Sequence, residues 1–181
     1  MSRRDKLFDL PIYKKAELIL GLVNSLLNAI SEEDEYLNAT KYMMRDDAAI
    51  ICAKIAGAEG GDMYSIRMQN AAIIRDHAMH LYVQVGSLRF HDSFKDTDYV
   101  TLIRKEIDEF RELFINWVAN FDKSNYYWDE WELFNPPGAI PPDPNEYQDP
   151  INWGTVNPSY FFNILFYITN PCSTTTFNIS N

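Results

Sequence analysis

His77 and His80 stand three residues apart, the spacing that brings two side chains to one side of a helix and lets two imidazoles reach one metal ion. Two histidines make half a site. Carboxylate-bridged di-iron bundles carry a Glu-x-x-His pair on each of two helices. Here position 74, three before His77, is Ile, and the residue three before His80 is His77 itself. A metal-binding reading therefore needs His77, His80 and a carboxylate from another helix. The reading preferred is that both histidines flank an apolar stripe and bond to neighbouring helices or water, so no metal and no cofactor is assigned. His91 falls in a loop, where it is expected to cap or be solvated.

The other candidates for chemistry resolve in the same direction. Asp46-Asp47 and Asp108-Glu109 are paired carboxylates, the residue type for acid–base work when burial separates their pKa values. Neighbouring helical residues diverge by about 100°, and Arg45, Arg104, Lys105 and Arg111 lie close enough in sequence to form ion pairs. Solvated faces are expected for both pairs. Glu59-Gly60-Gly61-Asp62 lacks the preceding strand and the following Lys-Ser/Thr of a phosphate-binding loop, and reads as a turn between helices. No Gly-x-Ser-x-Gly elbow occurs, and neither Cys52 nor Cys172 has basic or motif neighbours that would activate a thiolate. No catalytic residue is named, and the chain is read as non-enzymatic.

Elements that could position such residues are legible from periodicity. A helix is predicted from Pro11 to Ile30, with Ile12, Ala16, Ile19, Val23, Leu26 and Ile30 on one stripe, widened by Leu20 and Leu27. A second runs from Glu33 to Ala58 through Leu37, Thr40, Met44, Ala48, Ile51, Ile55 and Ala58. It is dense in small residues that admit a close neighbour, and Gly60-Gly61 caps or breaks it. A third spans Asp62 to Phe90, with Asp62 as N-cap and Met63, Ile66, Ala71, Ile74, Ala78, Leu81, Val85 and Leu88 inward. On its edge, Asn70 and His77 share a row that could set register in a seam between subunits. A fourth runs from Tyr99 to Phe121 through Ile103, Ile107, Phe110, Phe114, Trp117 and Phe121. Four such helices with short links predict an all-α, up-down-up-down antiparallel four-helix bundle over residues 1–123.

Residues 124–181 form an acidic, Pro- and aromatic-rich extension. Pro136-Pro137-Gly138, Pro141-Pro142-Asp143-Pro144 and Pro150 exclude regular helix there. The aromatic stretch Tyr126 to Phe134 either extends the fourth helix or folds back as an apolar strap. Tyr160 to Ile168 is nearly all apolar, but nine residues are too few to span a bilayer. All 16 Lys and Arg precede residue 124, against 20 Asp and Glu there, and the extension adds six acids and no base, giving a net charge of −10. That balance disfavours phosphate backbones and anionic membranes as partners, although a local basic patch on the bundle is compatible with it. Two distant cysteines and no signal-like or spanning segment point to a cytoplasmic protein.

The segment Ala48-Ala49-Ile50-Ile51-Cys52-Ala53-Lys54-Ile55-Ala56-Gly57-Ala58-Glu59-Gly60, with Leu10-Pro11-Ile12-Tyr13-Lys14-Lys15-Ala16 before it, resembles the four-helix bundle proteins encoded in 23S ribosomal RNA intervening sequences. That family opens helix 1 on L-x-(V/I)-(W/Y)-x-K-A and centres helix 2 on I-P-x-N-I-A-E-G. Ile51, Ile55 and Ala56 match in register; Cys52 stands for the proline, Lys54 for the asparagine, and Gly57-Ala58 precede Glu59-Gly60. The resemblance covers residues 7–121 and implies a bundle that assembles into a ring, often a pentamer, without catalysis. A related branch, the accessory proteins of diversity-generating retroelements, is basic and binds RNA and a reverse transcriptase. This chain is acidic. The expectation is a self-associating helical scaffold, with apolar residues beyond four stripes (Leu20, Leu22, Leu113 and Ile115) to bind a second copy or another protein.

Overall fold

A computed structural model describes residues 3–30, 35–91, 94 and 96–143. The described residues are helical or irregular, with no strand. A short helix, α1 (Arg3–Asp9), precedes four long ones: α2 (Pro11–Ala29), α3 (Glu35–Gly61), α4 (Tyr64–Ser87) and α5 (Thr97–Ala119). The periodic stripes did not include α1. It abuts α2 because Leu10, held extended by the proline that follows, interrupts the helical path. Pro11 then opens α2 at the position where a missing N–H costs nothing.

Helices α2, α3, α4 and α5 pack in a closed square, each against its two chain neighbours and α2 against α5. Named contacts show the direction of packing. Asp47 meets His77 and a Cβ on Gly57 would meet Asn70, so α3 and α4 run antiparallel. Arg104 reaches Tyr82 while Trp117 packs near Met68, so α4 and α5 do too. The predicted up-down-up-down order is consistent with these pairs. All the stripe residues predicted in α2 and α3 are buried, as are Ile103, Ile107 and Phe110 of α5. Burying such side chains contributes about 1.5–3 kcal/mol each before chain entropy is subtracted, and this holds the square together.

Some expectations are corrected. Leu20 belongs to the core and Leu22 and Leu113 pack partly against it, so only Ile115 of that surplus set lies exposed. On α4, Ile66 is exposed, and Tyr64 and Ser65 take the inner positions of the first turn. The helix starts two residues later than predicted, and its inward stripe runs through Tyr64, Arg67, Ala71 and Ile74, which leaves Ile66 outside. Asp62 is not the N-cap. It adopts a left-handed conformation with φ of 52°, the reversal between α3 and α4, and Met63 precedes the first turn without a side-chain cap. Gly60 and Gly61 complete the last turn of α3. At its other end α4 tightens into a 3-10 turn over Leu88–Phe90.

The missing cap is supplied from far away. The backbone N–H of Tyr64 donates to the carbonyl of Asn125 (2.7 Å), Ser65 Oγ donates to the carbonyl of Tyr127 (2.5 Å), and Asn125 Nδ2 donates to the carbonyl of Asp62 (2.6 Å). The chain after α5 thus folds back on the end of the bundle, and Tyr126 packs beside Tyr64, Ala71 and Phe121. Beyond it, Asp129 closes a loop by accepting from the backbone N–H groups of Trp131, Leu133 and Phe134. Desolvation pushes the Asp129 carboxyl up, but those three donors outweigh it and hold the group below its ordinary value. Pro136 accepts from the N–H of Ala139 across Pro137-Gly138, with Gly138 at φ of 83°, as a type II turn requires. Residues 144–181, including the apolar run and Cys172, lie outside the described residues, as does most of the acidic connection before α3.

Gly21 lies mid-helix on the exposed side of α2, and a Cβ there meets nothing. Gly21→Ala is therefore expected to stabilise the bundle by about 0.5–1 kcal/mol through the helical preference alone. Urea unfolding followed by circular dichroism checks this, and an unchanged midpoint sinks it.

Candidate functional site

The histidines and the second carboxylate of Asp46-Asp47 come together where α3 passes α4. Asp47 is buried, and its Oδ1 lies 2.6 Å from Nδ1 of His77, which is half-buried on the inner edge of α4. The prediction of a solvated acidic pair holds for Asp46, which is exposed, and fails for Asp47. Position 47 is three beyond Met44 and four before Ile51, both in the core, so helical spacing alone carries it inward. Reading Asp46 and Asp47 as a unit hid that signal.

His80 sits one turn along α4 on the exposed side, its ring centroid 6.2 Å from that of His77 and nearly perpendicular to it at 86°. One donor atom each from Asp47, His77 and His80 fall within 4.8 Å of one another. Asp76, one turn before His80, lies 3.9 Å from its Nε2. A carboxylate without a proton accepts only, and opposite such a group the short Asp47–His77 contact is a hydrogen bond donated by His77 Nδ1. The arrangement positions one imidazole rigidly and leaves the second free to rotate.

Asn70 and His77 both face α3 within one chain, Asn70 donating to the carbonyl of Ile66 (2.8 Å). His91 follows the 3-10 turn, its N–H donating to the carbonyl of Leu88 (3.2 Å) and its carbonyl accepting from Phe94 (3.0 Å). Of the second acidic pair, Glu109 joins Glu106 in accepting from Lys15, both at 2.6 Å, tying α5 to α2. Hydrogen bonds to Glu106 and then Glu109 hold the Lys15 ammonium above its ordinary pKa, and the bond from Lys15 holds Glu109 below its own. Cys52 is a buried thiol in the core.

A polar constellation missed from sequence lies at the other end of the α3–α4 pair. Glu59 accepts from Arg67 and from the indole N–H of Trp117 (2.9 Å), while the Arg67 guanidinium carbon lies 4.3 Å from the ring centre of Phe121. Arg67 lies three beyond Tyr64 and four before Ala71, both buried, and that spacing was its available signal.

The outer face of the same two helices is unusual in another way. Helix α4 mixes apolar and polar residues on its outer side, with Ile66, Met79 and Val83 exposed beside Gln69, Arg75, Asp76 and His80. Met79 and Val83 follow one outward edge of α4 and Phe90 ends the 3-10 turn beyond it, with Val83 62% and Phe90 89% exposed. On α3 the exposed residues are Ala39, Tyr42, Met43, Arg45, Asp46, Gly57, Gly60 and Gly61. The register set by Asp47–His77 and Gly57–Asn70 carries Met43 to the level of Leu81 to Val83. No helix among the described residues is long and apolar enough to cross a membrane. No family model, no curated protein and no solved structure matches the chain. The likeness to the intervening-sequence bundles thus rests on the residues quoted for it above.

Proposed function

We propose that the protein is a non-enzymatic helical scaffold of the cytoplasm that self-associates through the outer face of α3 and α4. The carrying observation is the run of exposed apolar side chains there: Met43 on α3, Met79 and Val83 on α4, and Phe90 in the 3-10 turn beyond it. Apolar residues of α4 are not confined to its inner side, since Ile66, Met79 and Val83 are exposed beside Arg75 and Asp76. The outward face of α5 is richer in charge, with Asp98, Lys105, Glu109, Arg111 and Glu112 exposed.

A second copy of the chain is the occupant this reading commits to. A small outward residue on α3, Ala39, lets another helix approach closely. The resemblance to bundles that assemble into rings points the same way, and a pentameric ring is the form it suggests. Light scattering over a range of concentrations tests the reading. The full chain is expected to give a mass above one protomer that Met43→Lys with Val83→Lys reduces to a monomer, because desolvating two ammonium groups opposes the contact. A monomer at every concentration overturns the proposal, and so does an oligomer that the double substitution leaves intact.

A further inference from the structure

We infer that Asp47, His77 and His80 bind one divalent transition-metal ion of the zinc class within a single chain. This goes beyond the scaffold reading and does not depend on it. Two imidazole nitrogens and one carboxylate oxygen form a mixed set that suits borderline ions such as zinc and cobalt, and suits magnesium or calcium poorly. The three donors already lie within 4.8 Å of one another. Around a tetrahedral ion with bonds of about 2.1 Å they settle at about 3.4 Å apart. Reaching that geometry opens the Asp47–His77 pair and draws His80 in.

The helices are suited to that adjustment. His77 and His80 share one side of α4, and the carboxylate comes from α3, the helix packed most extensively against it. Asp47 is buried and paired with His77, while the His80 side chain is 58% exposed, with its Nε2 3.9 Å from Asp76. The ion takes the place of the proton that His77 holds toward Asp47, and Nε2 takes up a proton from solvent in exchange, so the ring stays a neutral imidazole. Asp76 lies beyond His80 and adds a second negative charge nearby. The exposed side leaves at least one coordination position to water, which makes the site open rather than sealed.

The test uses the full chain, stripped with chelator and titrated with zinc by calorimetry and with cobalt by visible absorption. One ion per chain is expected, together with the strong visible bands of a four-coordinate cobalt site. His80→Ala, which removes an exposed side chain and leaves the bundle folded by circular dichroism, is expected to weaken binding by at least about tenfold. His91→Ala serves as the comparison and leaves it unchanged. Fewer than about 0.1 ion per chain overturns the inference, since a three-ligand N/O site for this ion class fills at micromolar metal. Unchanged affinity in the His80 variant also overturns it, as does one ion per two chains, because either outcome places the ligands elsewhere. Loss of self-association leaves the stoichiometry per chain unchanged, so failure of the scaffold reading and failure of the metal site are distinguishable.

Discussion

Ile55→Ala lowers the stability of the bundle by about 3–4 kcal/mol, the loss expected when a fully enclosed side chain leaves a cavity that its neighbours fill only in part. Ile55 is 0% exposed in the C-terminal third of α3 and belongs to the main apolar cluster with Ile51, Ile74 and Leu81. Single domains are stable by about 5–15 kcal/mol in total, so this one substitution takes a large share. Ile115→Ala is the matched comparison, because Ile115 is 54% exposed on α5. It should change stability by no more than about 0.5 kcal/mol. Urea denaturation monitored by helical circular dichroism measures both. Equal losses from the two variants would show that the inward stripe on α3 has been misidentified.

The second large effect is expected at Arg67. Its side chain is 14% exposed, its guanidinium binds Glu59 and lies over the ring of Phe121, and Glu59 also holds the indole N–H of Trp117. Arg67→Ala strands a Glu59 carboxylate that is itself only 27% exposed, and costs about 2–3 kcal/mol. Arg67→Lys recovers little, since an ammonium neither forks onto a carboxylate nor stacks on an aromatic face as guanidinium does. Glu59→Gln keeps an oxygen for Trp117 and is the milder change. Denaturation midpoints read the order Ala, Lys, Gln from most to least destabilised. A loss below about 0.5 kcal/mol for Arg67→Ala would reduce the constellation to a surface ion pair.

The long helices were readable from sequence because their apolar spacing is regular and their cores are made of Ile, Leu, Val and Ala, for which helical spacing and burial agree. The reading weakened where a polar residue occupied an inward position. Asp47 and Arg67 satisfy the same spacing as their apolar neighbours, but residue type outweighed position, so one was assigned to solvent and the other overlooked. The start of α4 misled for a different reason. Asp62 looks like a cap from local sequence, and only the return of the chain near Asn125 shows that the cap comes from a distance of 63 residues. Of the site, the two histidines were visible and their distance from each other followed from the helix. Their carboxylate partner was not, because pairing across helices depends on a register that no single helix encodes.

That distant closure bears on how the molecule is made. A ribosome releases the residues of α4 well before Asn125 and Tyr127 exist, so the first turn of α4 has no acceptors for its amides and hydroxyls during that interval. The hairpin of α3 and α4 emerges with a loose end at the very turn that joins its halves. It tightens only after α5 has docked and the polypeptide has doubled back, which makes completion of that corner a late event in biosynthesis and couples it to the arrival of the final helix.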